Sequence, residues 1–331
     1  MTQLIDPYGR IIDYLRISIT DHCNLDCLYC APFGGRRRLP HSEILTYEEI
    51  LRITKAAVSA GVSKIRITGG EPLKRKGMVR LCRMLADIDG IESLAVTTNG
   101  ILLKELADPL FEAGVQRVNV SLDTLKPERF KKITGEDLLY RVLEGIEAAE
   151  KVGMNPIKIN TVVMRDINDD EIEDLAGLTL KKSYHVRFIE LMPTQGDTIK
   201  KHQSLFVPIS EVFDRIKKIG NLRLNNKTES FGPATLYSFP EAPGKIGFIA
   251  PLSRHFCETC NRLRLTADGK LRTCLFSEKE IDIKESLRKG ASMKELVDIF
   301  RNAAMSKPQR HCLNDTVPPN LSNRTMRAIG G

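Results

Sequence analysis

Between residues 14 and 191, six short runs rich in β-branched side chains alternate with longer amphipathic stretches, and this rhythm constrains the fold more than any other feature. The runs are YLRISIT (14–20), SKIRIT (63–68), ESLAVTT (92–98), VQRVNVSL (115–122), NPIKINTVV (155–163) and YHVRFIEL (184–191). Strand-like runs separated by helical patterns read as successive βα units on a parallel sheet. Helices are expected over 46–60, 78–88, 102–113, 138–152 and 170–181. In the first, Thr46 and Glu49 make a capping box, Leu45 and Ile50 are spaced as a hydrophobic staple, and Gly61 is the stop. Six units are fewer than the eight that close a full barrel, so an α/β partial (βα)6 barrel, open at one side, is expected.

After residue 195 the alternation ends. TIKKHQSL (198–205) reads as a polar connection, followed by a short helix near ISEVFDRIKKIG. ATLYSFP, KIGFIA and RLRLTADGKLRTCLF read as strands of a smaller C-terminal α+β domain, with Asp268-Gly269 as a hairpin turn. Two helices and a loose tail rich in Pro, Asn and Arg complete the pattern. The expected division is 1–195 and 196–331.

The chain has 331 residues and a net charge of +8, which favours an anionic ligand. No apolar run approaches a membrane span, and the start MTQLIDPYGR lacks the apolar core of a signal peptide. The expectation is a cytoplasmic location, no membrane partner and reduced thiols. Eight cysteines in that setting point to metal or catalysis rather than to disulfides.

Six of the eight form two triplets, Cys23, Cys27, Cys30 and Cys257, Cys260, Cys274. Neither is a four-thiolate site. A 4Fe–4S cube held by three thiolates leaves one iron open for a substrate or cofactor. Zinc is the competing reading, and for the second triplet alone, with His255 nearby, it is as good as iron. The first triplet is more specific, because its Cys-x3-Cys-x2-Cys spacing directly follows the first strand of a βα series. RITGGEP (66–72) ends the second strand with glycines that let a ligand approach backbone closely. Strand C-termini are where such a fold places its site.

Together, DHCNLDCLYC and GGEP resemble the signature of the radical SAM superfamily. The resemblance implies that S-adenosylmethionine (SAM) chelates the open iron of a 4Fe–4S cluster on Cys23, Cys27 and Cys30. Electron transfer then breaks its S–C5′ bond, and the 5′-deoxyadenosyl radical takes a hydrogen atom from the substrate. It places Tyr29, Gly70, Ser121 and Met192 against SAM. Read alone, Tyr29 is equally a packing residue, and Ser121 and Met192 a capping hydroxyl and a core side chain.

The run CETCNRLRLTADGKLRTCLF and the terminal IGG narrow the likeness to the GTP 3′,8-cyclase family of molybdenum-cofactor biosynthesis. Ala31 departs from it, since methionine is expected before the proline. This family implies a second 4Fe–4S cluster on Cys257, Cys260 and Cys274 whose open iron holds the guanine of GTP. The product is (8S)-3′,8-cyclo-7,8-dihydroguanosine 5′-triphosphate. It implies Arg262, Arg264, Gly330 and Gly331 as catalytic residues and Thr97 among the GTP contacts. Arg16, Lys64, Arg66, Lys158, Arg187, Arg262 and Arg264 would receive the triphosphate. Five of these seven alternate with apolar residues inside the first six predicted strands, so they point either into the lumen or outward to solvent. The tail, with Arg324 and Arg327 as anchors, is expected to thread toward the space between the clusters.

The implied partners are GTP, a one-electron donor and the next pathway enzyme, with no nucleic acid; a homodimer stays open. Two alternatives remain: a radical SAM peptide-modifying enzyme with an auxiliary cluster, and a basic zinc-ribbon protein that binds nucleic acid. The latter leaves GGEP and the first triplet unexplained.

Overall fold

A computed structural model describes residues 3–30, 39–193, 199–225, 232–311 and 324–330. Ala31, the arginine run at 36–38, Cys312 and Gly331 lie outside these residues. Every expected strand of the first half forms: β1 Tyr14–Ser18, β2 Lys64–Thr68, β3 Ser93–Thr98, β4 Arg117–Ser121, β5 Lys158–Val163 and β6 His185–Glu190. Between them run α1 Tyr47–Ala60, α2 Met78–Ala86, α3 Leu103–Glu112, α4 Pro127–Thr134, α5 Leu139–Lys151 and α6 Ile172–Lys181. The capping box of α1 is complete, and Gly61 ends the helix at φ 119°, a conformation that favours glycine.

The sequence reading omits α4, although Pro127 in its first turn and Gly135 just past its end mark it. The connection after β6 also differs from expectation, because α7 (Ile199–Leu205) is helical. Downstream come α8 Ile209–Lys217, β7 Arg223–Leu224, β8 Thr235–Ser238, β9 Lys245–Ile249, β10 Arg262–Leu265, β11 Lys270–Arg272 and β12 Ile281–Asp282. Helices α9 Ile283–Arg288, α10 Met293–Met305 and the single turn α11 Met326–Ile329 follow. The tail, expected to be loose, holds a helical turn capped by Thr325.

The later strands do not make a sheet of their own. The order is β12-β11-β10-β1-β2-β3-β4-β5-β6-β9-β8-β7, one sheet in which β10 lies parallel to β1 and β9 parallel to β6. Both edges of the six-stranded unit are thus extended by C-terminal strands. The expected hairpin is present, with Arg264 opposite Arg272 across the Asp268-Gly269 turn. One face of the sheet, including Leu15, Ile17, Ile65, Val96, Val120, Val186 and Leu263, is buried in the main core with the helices. Because side chains alternate along a strand, the intervening residues belong to the opposite, inner face.

Candidate active site

The inner face is polar and cationic. Register puts Arg16 beside Arg66 on one side and Arg264 on the other. Thr97 pairs with Asn119, which also pairs with Lys158, and Asn160 pairs with Ser121 and Arg187. A cavity of about 310 Å³ opens on this face, and its wall includes all six cysteines of both triplets. Arg16, Arg66, Arg187, Arg262, Arg264, Tyr29, Gly70, Thr97, Ser121 and Met192 also line it.

The first triplet sits on the loop after β1. Its backbone is fixed by α4, whose Ile133 and Thr134 carbonyls accept from Leu28 and Asp26. Tyr29 donates its phenol proton to Asp123 Oδ2 at 2.7 Å, so the ring is held at the cavity wall. Gly70 is required by space: a Cβ there would lie 2.4 Å from the His22 carbonyl oxygen. Glu71 of the same motif turns away from the lumen. Its carboxylate accepts from Leu73 N, Thr98 Oγ1 and Asn99 N at 2.7–2.9 Å, tying β2 to β3. Burial lifts its pKa to about 7 against these donors.

A cube takes each thiolate on a different iron, so three spaced thiols around a shared cavity match it in number and chemistry. Burial raises the Cys27 thiol well above its usual range, and Cys30 and Cys23 add to the effect, as expected for thiols gathered around one space. Cys260 behaves otherwise: burial pushes it up, but Arg262 and Lys307 carry it down to about 7, favouring the thiolate.

The cations crowd one another. Burial, reinforced by Arg264 and Arg66, lowers the Arg16 pKa well below its ordinary value. Arg187 falls to about 9 and Arg264 to about 10, again chiefly through burial. His185 falls to about 3 by burial among Arg187, Lys158 and Lys245 and is neutral. The Nε atoms of Arg66, Arg187 and Arg262 are buried without a hydrogen-bond partner among the described residues. Two of the seven expected triphosphate residues are not in the cavity wall. Lys64 pairs with Asp13 Oδ2 at 2.6 Å, at the N-terminal end of β2. Lys158, on the inner face beside Asn119, is buried, with burial and Arg187 lowering its pKa to about 6.

The sequence reading missed Asn119 and Asn160. Both line the cavity, with Asn119 Oδ1 and Nδ2 and Asn160 Oδ1 unpartnered among the described residues. The signal was available, since RVNVS and KIN carry them on the alternation that flags the cations. The tail reaches the same place. Arg324 pairs with Asp268 and Glu280, and Arg327 with Asp26 and the Leu25 carbonyl. Gly330 lies against Ser18 and Thr68, where a Cβ would meet Ser18 Cβ at 2.9 Å. Its carbonyl accepts from Arg264 at 2.5 Å.

Comparison with known proteins agrees with this geometry. Residues 17–179 match the radical SAM superfamily, and residues 184–313 match the family described as Molybdenum Cofactor Synthesis C. The chain is similar to the GTP 3′,8-cyclase of Thermodesulfovibrio yellowstonii, at 49% identity over 98% of this chain and 99% of that one. It is also similar to that of Pelotomaculum thermopropionicum, at 50% over 98% and 99%. Among solved structures, SuiB of Streptococcus suis bound to S-adenosylmethionine shares the fold, with a TM-score of 0.57 at 16% identity, covering 89% of this chain and 67% of that one. Similarity to such relatives over nearly the whole length, joined to a lumen lined by both triplets, places the chain in the GTP 3′,8-cyclase family of the radical SAM superfamily.

Proposed function

We propose that this chain converts GTP into (8S)-3′,8-cyclo-7,8-dihydroguanosine 5′-triphosphate, the first step of molybdenum-cofactor biosynthesis. As a radical SAM protein it uses a 4Fe–4S cluster and S-adenosylmethionine. In our reading Cys23, Cys27 and Cys30 hold that cluster, and Cys257, Cys260 and Cys274 hold a second one that binds guanine. The observation that carries it is the single cavity bordered by both triplets and five arginines. When bound, the first cluster and SAM supply the radical that removes a hydrogen atom from the substrate.

The protein's own residues supply placement. Tyr29, Gly70, Ser121 and Met192 border the space for SAM, with Tyr29 fixed by Asp123. Arg16, Arg66, Arg187, Arg262 and Arg264 offer buried donors to the triphosphate, whose oxygens would meet guanidinium forks in a dry site. Lys158 supports them electrostatically, and Thr97 contacts the nucleotide. Gly330 brings backbone alone to the reacting groups, and Gly331 is assigned a catalytic role with it. Lys64 closes the barrel floor through Asp13. On this reading the barrel unit is 1–195 and the substrate unit 196–331. An external one-electron donor and an enzyme that consumes the product complete the scheme.

Anaerobically reconstituted protein should hold about eight irons per chain. Cys27→Ala should abolish SAM cleavage, whereas Cys274→Ala should retain some uncoupled cleavage while losing the cyclised nucleotide. Equal loss of both activities in a Cys274 variant that keeps the first cluster would remove the assignment.

A further inference from the structure

Lys307 stands outside every motif described so far, yet it touches both arms of the second triplet. It follows α10 and is 3% exposed. Its Nζ donates to the Arg262 carbonyl at 2.8 Å and to the Thr273 carbonyl at 2.6 Å. Arg262 lies two residues past Cys260, and Thr273 immediately precedes Cys274. On the other flank, buried Arg10 donates to the Cys257 carbonyl at 2.6 Å and to the Pro308 and Gln309 carbonyls at 2.8 and 3.2 Å. Arg10 already has a carboxylate, Asp6. Lys307 has none among the described residues; it is a buried ammonium facing two carbonyls.

A buried charge without a counterion is costly, and the Cys260 and Cys274 thiols lie close enough to act on it. We propose that Lys307 is a positioning and charge-compensating residue for the second cluster. It fixes the two ligand arms at the spacing of a cube, and its positive charge stabilises the reduced form. The inference rests on the two-cluster reading and adds to it a residue that sets the cluster's potential. Cluster potentials respond to net charge and to hydrogen bonds at sulfur, so removing one adjacent positive charge makes reduction harder.

The test uses full-length Lys307→Met and Lys307→Arg proteins, anaerobically reconstituted and titrated potentiometrically with EPR detection. The first cluster is identified by its response to added SAM. An iron content of about eight in the parent protein checks the two-cluster reading separately. The expected result is a negative shift of the second cluster's midpoint in Lys307→Met, a parent-like value in Lys307→Arg, and an unmoved first cluster in both. Selective loss of the second cluster in the Met variant, with retention in the Arg variant, would support the proposal equally. An unchanged second midpoint in fully loaded Lys307→Met would overturn it. So would loss of the second cluster in both variants alike, because the charge would then not be what matters.

Discussion

Lys158 carries the clearest electrical signature in the lumen. Its ammonium is buried beside Arg187, Arg66 and Arg117, and burial followed by those charges brings its pKa to about 6. A triphosphate nearby reverses the balance by favouring the protonated form. At pH 8 the free protein holds Lys158 neutral, so GTP binding should take up close to one proton. Above pH 6, affinity should then weaken by up to tenfold per pH unit until the bound-state pKa is reached. Calorimetry of GTP binding in buffers of different ionisation enthalpy measures the uptake, which Lys158→Met should abolish. Equal uptake in the two proteins would place the triphosphate elsewhere. Alternation made most of these cations legible in the sequence, because a charged residue between β-branched neighbours has only two faces to choose from. It could not separate Lys64 from the rest. Lys64 is the first residue of its strand, far from the C-terminal mouth, and Asp13, which neutralises it, lies outside any strand.

At the scale of elements, capping chemistry was the most legible signal, as the complete box on α1 illustrates. Short polar helices were less so. Helix α7 and the terminal turn α11 form although neither has a long apolar stripe, since tertiary contacts outweigh local propensity in such pieces. The terminal turn is held by ion pairs: Arg327 joins it to the first cysteine loop at Asp26, and Arg324 to Asp268 in the β10–β11 turn. Those anchors precede Gly330, so deleting Gly330 and Gly331 should leave the fold and iron content intact. The cyclised product should nevertheless be suppressed, because small displacements of a radical from its target hydrogen cost orders of magnitude in rate. Product analysis of the truncated enzyme checks this, and full activity would return the last two residues to an ordinary terminus.

The whole molecule brings together what the sequence keeps more than two hundred residues apart. Parallel pairing of β10 with β1 sets the second triplet's hairpin beside the strand that leads into the first triplet. No local pattern announces that pairing. The sequence has the two cysteine sets and the cations, while their meeting in one cavity depends on sheet edges that only the folded chain defines. The central claim is that SAM and GTP meet in that cavity. GTP deuterated at the ribose C3′ position, incubated anaerobically with the reconstituted protein, SAM and reductant, tests it most directly. The account predicts deuterium in 5′-deoxyadenosine, formed in equal amount with a cyclised isomer of GTP. Unlabelled 5′-deoxyadenosine, with GTP recovered unchanged, would contradict it.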